Sequence, residues 1–163
     1  PAIVEFDIDP SDGSRRVSAE LGFINQYYGL ALTLSLGDGQ HAAVPANGWS
    51  ARRGVPMRLD EPVVYLYFQV SDDWYFDSGE PVEIAATYLD VGSEGISIEY
   101  DALDQEYKWV DFVLERQDSG EWITGTIQIE DASFTNRQNL CADFRFSSIG
   151  DLTIARVEVR RLE

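Results

Sequence analysis

Apolar and polar residues alternate with period two along most of this chain. Val4, Phe6 and Ile8 alternate with Glu5, Asp7 and Asp9, and Leu30, Leu32, Leu34 and Leu36 alternate with Ala31, Thr33 and Ser35. Period two sends successive side chains to opposite faces of an extended strand, so each run predicts one face for a core and one for solvent. The rhythm returns in YLYFQV (65–70), in PVEIAATYL with Val82, Ile84, Ala86 and Tyr88 on one face, and in GISIEY with Ile96, Ile98 and Tyr100. It continues in WVDFVLE, WITGTIQIE, ADFRFS and DLTIARVEVR. No helical stripe interrupts it. The breaks carry turn chemistry: Gly37-Asp38-Gly39, Asn47-Gly48, Asp77-Ser78-Gly79, Gly92 to Gly95, Ser119-Gly120 and Gly150-Asp151. About nine or ten short strands punctuated in this way predict an all-β fold, a jelly-roll β-sandwich of two antiparallel sheets. The longest weakly patterned stretch, 37–62, reads as a long loop. Asp143 and Arg145, two apart in a strand pattern, are expected on one face as an ion pair.

Size and charge narrow the picture. At 163 residues, 44% hydrophobic, the chain holds enough apolar material for one core and no sign of a second domain, so 1–163 reads as a single domain, expected as a monomer. Twelve basic against 29 acidic side chains leave a net charge of -17. Phosphate backbones and anionic membrane surfaces need clustered Lys and Arg, and only the pairs Arg15-Arg16, Arg52-Arg53 and Arg160-Arg161 are present. Nucleic acid and membrane are therefore excluded as partners, acidic glycans are repelled, and a neutral ligand suits the charge best. Cys141 is the single cysteine, in a strand-like run, and is expected to be a buried thiol. The first residues lack a basic, then apolar leader pattern, and Pro1 stands directly before a strand pattern. The chain is read as a domain excised from a secreted or cell-surface protein.

From about Asn25 to Arg160 the order of features resembles a galactose-binding-like, jelly-roll accessory module of bacterial polysaccharide-degrading enzymes. The residues that carry the resemblance are GDG at 37–39, YLYFQVSDDWYFDSG at 65–79, YLDVGSEGISIEYDA at 88–102, SGEW at 119–122 and DASFTNRQNLCADFRF at 131–146. The resemblance implies a non-catalytic carbohydrate-binding module, covalently linked to a glycoside hydrolase or lyase, that binds a neutral polysaccharide or oligosaccharide. Related modules often carry a structural calcium.

Sugar recognition needs a flat apolar ring to meet the C–H face of a pyranose, and planar polar groups to bond its hydroxyls. Tyr27, Tyr28, Trp49, Trp74 and Tyr75 stand in loop-like segments and supply candidate rings, the competing reading being aromatic plugs at the ends of the sandwich. Asn136, Arg137, Gln138 and Asn139 supply amides and a guanidinium, the alternative being an internal network that ties down the loop. A third arrangement places Tyr65, Tyr67, Trp109 and Trp122 on the floor of a groove, provided their strand faces are wet. Asp7, Asp9 and Asp12 present hard oxygen ligands at close spacing as calcium prefers, against the reading of a solvated acidic strand face.

Catalysis has little to draw on. His41 is the only histidine, so neither a histidine triad nor a catalytic zinc with its usual ligands is supported. Two-carboxylate glycoside hydrolysis is the enzymatic alternative, resting on Glu5, Asp7 and Asp9. A protein-binding adhesion or structural sandwich is the other.

Overall fold

The computed structural model describes residues 14–162, in which twelve strands form two antiparallel sheets. In chain order they are β1 (Arg16–Glu20), β2 (Gln26–Tyr28), β3 (Leu30–Leu32), β4 (His41–Ala46), β5 (Trp49–Gly54), β6 (Val63–Val70), β7 (Val82–Leu89), β8 (Ile96–Tyr100), β9 (Lys108–Leu114), β10 (Trp122–Ile129), β11 (Phe144–Ile149) and β12 (Thr153–Arg161). One sheet runs β10-β7-β12-β1-β2, with β5 also paired to β12 and β4 to β5; the other runs β3-β6-β11-β8-β9. Neighbours in space are mostly distant in sequence, as in a jelly roll.

The alternation expected from the sequence builds the core. Val82, Ile84, Ala86 and Tyr88 of β7 face inward, as do Val64, Leu66 and Phe68 of β6 and Ile96, Ile98 and Tyr100 of β8. An aromatic cluster joins them: Phe68 stacks on Phe144 at 5.3 Å, and Phe146 meets Phe144 edge-on at 5.8 Å. Burying each such ring contributes about 1.5–3 kcal/mol, and offset or edge contacts add to it.

Two expectations fail here. The stretch 37–62 contains a hairpin, β4–β5, turned by Asn47 and Gly48, both at positive φ (41° and 84°). That is the geometry an Asn-Gly pair favours in a two-residue hairpin turn. Together with β1 and β2, which also lie outside the alternating runs, the hairpin brings the strand number to twelve, and Pro45 is tolerated because β4 is an edge strand among the described residues. In the Leu30–Leu36 run, β3 ends at Leu32, and Leu34 and Leu36 are exposed.

Asp143 and Arg145 do not pair. Asp143 is fully buried just before β11, where Oδ2 accepts the Val70 N–H (2.8 Å) and Oδ1 the Asn136 N–H (2.9 Å). Arg145 reaches Glu99 instead. Cys141 is half-buried in a short 3-10 turn, Asn139–Cys141, rather than buried in a strand.

Candidate functional site

The face of the five-stranded sheet turned away from the core carries aligned polar and aromatic side chains. Arg145 of β11 is the register partner of Tyr67 on one side and of Glu99 on the other, and Glu99 is in turn the partner of Trp109. Directly paired residues project to the same side, so Tyr67, Arg145, Glu99 and Trp109 form one row across β6, β11, β8 and β9. Three inter-strand spacings make this row about 14 Å long. The adjacent row holds Tyr65, Ser147 and Ser97, and beyond it Val63 is paired with Ile149.

The middle of this face is rigid. The Arg145 guanidinium lies between the rings of Tyr65 and Tyr107, 4.1 and 4.4 Å from their centroids. Its Nε and Nη2 donate to Glu99 Oε1 (3.0 and 2.7 Å), and Nη1 donates to the Tyr67 hydroxyl. Tyr67 Oη donates to Asp38 (3.0 Å), and Asn139 Nδ2 reaches both Tyr67 Oη (3.3 Å) and Asp38 (3.4 Å). Burial disfavours the Arg145 charge, but Tyr67 and Glu99 more than offset this and the pKa is raised. Burial likewise raises the pKa of Tyr67, which stays a neutral donor.

The ends are open. Trp109 is 56% exposed, and beside it a cavity of about 230 Å³ is walled by Trp109, Val63, Ile149 and Glu94 over a floor containing Ser97 and Ser147. An exposed ring beside small hydroxyl side chains and a carboxylate can meet the apolar face and the hydroxyls of one polyol.

The residues expected to bind divide differently. Trp74 and Tyr75 are 5% and 1% exposed, packed in the core, and this removes them as stacking platforms. Trp74 Nε1 donates to Ser14 O (2.6 Å), and the Tyr75 hydroxyl to Glu80 O (2.7 Å). The chain turns after β6, with the Trp74 and Tyr75 N–H groups bonded to Ser71 O, and carries both rings inward. Tyr27 packs against the core, its hydroxyl donating to Leu32 O. Asn136, Arg137 and Gln138 form an internal network. Asn136 Nδ2 holds Asp72, Arg137 pairs with buried Asp101, and Gln138 Nε2 donates to the Glu99 and Glu106 carbonyls. Asn139 joins the Tyr67 end of the row, whereas Tyr28 and Trp49 sit on the other sheet.

Trp122 also departs from the expected grouping. It belongs to β10 of the seven-stranded sheet and stacks on Trp49, away from Tyr65, Tyr67 and Trp109. His41 Nε2 is bonded to Thr33 O (2.8 Å), and burial lowers its pKa, as suits a structural ring. Asp7, Asp9 and Asp12 lie outside the described residues, as does Glu5. Among the described residues no group of three His, Cys, Asp or Glu is placed to hold a metal.

No family pattern matches the sequence, and no curated protein aligns with it. Solved structures do. The CBM22-1–GH10 modules of endo-1,4-beta-D-xylanase 10B from Clostridium thermocellum, complexed with xylohexaose, match with TM-score 0.53 and 15% identity. That match covers 89% of this chain, which spans only 28% of the xylanase chain. The CBM22-1 xylan-binding domain of a Paenibacillus barcinonensis protein matches at TM-score 0.49 and 14% identity over 98% of this chain and 99% of its own. A module specific for non-crystalline cellulose, CBM28, matches at TM-score 0.37 and 19% identity over 87% of this chain and 89% of its own. At these identities the first match speaks for a shared β-sandwich fold.

Proposed function

We propose that this chain is a non-catalytic carbohydrate-binding module that holds a neutral polysaccharide across the outer face of its five-stranded sheet. The observation that carries the reading is the row Tyr67–Arg145–Glu99–Trp109, which ends on an exposed ring and is held rigid in its centre. Trp109 takes the C–H face of one sugar, while Glu94 and the serines beside the cavity take hydroxyls. Rigidity matters because a side chain already fixed loses little freedom on binding. With one open tryptophan and a few hydrogen bonds, affinity falls in the micromolar range, about -6 to -8 kcal/mol. That suffices for a module tethered beside a catalytic domain, where linkage keeps the effective concentration high.

The fold likeness to a xylanase carrying modules of this kind makes a β-1,4-linked xylan the first ligand to try. It also supports a place in a larger secreted or cell-surface protein with a catalytic domain. The chain acts as a monomer. The test is binding to an array of neutral and acidic polysaccharides, with reducing ends assayed in parallel. Retention on one or a few neutral glycans, weakened by Trp109→Ala and without release of reducing ends, is the expected result. Release of reducing ends would make it a glycosidase, and retention on nothing would favour a protein-binding sandwich.

A further inference from the structure

The outer face of the seven-stranded sheet carries a second built aromatic site. Trp49, 52% exposed, stacks on Trp122 with ring centroids 5.1 Å apart and planes 21° apart, so one face of Trp49 is backed by another ring. Trp122 cannot swing away: its Nε1 donates to Ala46 O (3.2 Å) and Asn47 O (3.3 Å), and Asn47 Nδ2 donates to Gly120 O (2.8 Å). These bonds clamp the tip of the β4–β5 hairpin onto the start of β10.

Beside Trp49 opens a cavity of about 450 Å³, lined also by Ile24, Gln26, Ser50, Glu20 and Arg156. Its far wall, the turn after β1, is seated on the hairpin. Arg52 Nε donates to Gly22 O (2.8 Å), the Gly22 N–H is accepted by Asn25 Oδ1 (3.0 Å), and Gly22 lies so close that a Cβ would strike Ser50. Tyr28, two places from Gln26 on the same strand face, donates its hydroxyl to Gln26 Oε1 (3.3 Å).

We infer that the Trp49 platform and this cavity form a second binding site for a neutral glycan chain, on the sheet opposite the first. The inference rests on the reading of the chain as a glycan-binding module. Its lining chooses the ligand: the charged groups, Glu20 and Arg156, are 3.3 Å apart and neutralise each other, so nothing there calls for an ion. Donors and acceptors alternate beside a flat ring backed on one side, which fits a polyhydroxylated chain. A second copy of this chain is a poor occupant, because each brings a net charge of -17. Two platforms on opposite sheets would let one module bridge two polysaccharide chains.

The test is calorimetric titration of the intact chain with xylohexaose, cellohexaose and mannohexaose, taking the glycan that binds. Two equivalents are expected for the unaltered chain, one for Trp49→Ala and one for Trp109→Ala. Because Trp49→Ala could loosen the hairpin, Gln26→Ala, an exposed position, is measured beside it and is expected to weaken one of the two sites several-fold. One equivalent in the unaltered chain, unchanged by Trp49→Ala and Gln26→Ala but lost in Trp109→Ala, overturns the second site and leaves the first. One equivalent lost in Trp49→Ala but kept in Trp109→Ala supports the Trp49 site and overturns the first. No heat with any of the three overturns both.

Discussion

Arg145 lies over the Tyr65 ring with its guanidinium carbon 4.1 Å from the ring centroid, while the same guanidinium bonds Glu99 through two nitrogens. One cation thus holds a ring and a carboxylate in fixed relation on the sheet face. Glu99 is in turn beside Trp109, so the position of the open ring and of its neighbouring acceptor depends on a side chain that a ligand need not touch.

Arg145→Ala therefore removes more than a charge. Both members of the pair are little exposed, at 13% and 9% of their side-chain surface, and stranding Glu99 there should cost about 3 kcal/mol of stability. Urea unfolding of the variant is expected to give a lower midpoint at unchanged slope. Double substitution with Glu99→Gln should restore part of the loss, because the stranded charge is then gone.

Trp109→Ala is expected to behave in the opposite way. The ring is open to solvent, so stability should stay within about 0.5 kcal/mol of the unaltered chain. Losing one stacking ring should weaken glycan binding by about 1–2 kcal/mol, roughly tenfold. Calorimetry and a thermal melt on the same sample separate the two effects.

Gly39→Ala tests the far end of the row. A Cβ at this position would stand 2.8 Å from the Tyr67 ring and 3.1 Å from Leu140, and the ring has no room to yield. Overpacking of this kind costs about 1–3 kcal/mol, and displacing Tyr67 should disturb its bonds to Arg145, Asp38 and Asn139. Lower stability together with weaker binding is expected, where Trp109→Ala changes binding alone.

Asp143 gives the fold a pH dependence. Burial, with Asp101 and Asp72 nearby, pushes its pKa up to about 8 despite the Val70 and Asn136 N–H groups it accepts. In the unfolded chain it titrates near 3.9, so the folded state holds the proton more tightly. The stability this contributes is complete below about pH 4 and is lost as pH rises through about 8. Asp90 works with the opposite sign: Ser119 holds its carboxylate below the usual range, so its contribution disappears only in acid. Urea unfolding between about pH 6.5 and 9 should show stability falling with pH, and Asp143→Asn should flatten the slope. Equal slopes in the two proteins would contradict the assignment.

Much of the architecture was legible because the core-facing positions of β6, β7 and β8 are apolar at every second residue. The β4–β5 hairpin was not, since its strands are half-exposed and Pro45 breaks the pattern; Asn47-Gly48 was the available signal. Acidic neighbours made Trp74 and Tyr75 look like surface loop residues, although the turn at Ser71 carries both rings inward. The loop 135–139 proved mostly self-satisfied, because buried Asp101 and the carbonyls of Glu99 and Glu106 needed its donors. The row from Tyr67 to Trp109 depends on the register of four strands that are not neighbours in sequence. Alternation places each residue on a face but cannot say which strands lie side by side.

The most direct measurement is a nuclear magnetic resonance titration of the intact, isotope-labelled chain with xylohexaose, followed by cellohexaose and mannohexaose. The account predicts that with at least one of these the amides of 97–99, 109–111 and 145–147 shift together in a saturable way, while those of the core residues Trp74 and Tyr75 stay in place. Unmoved signals along that row with all three sugars would contradict it.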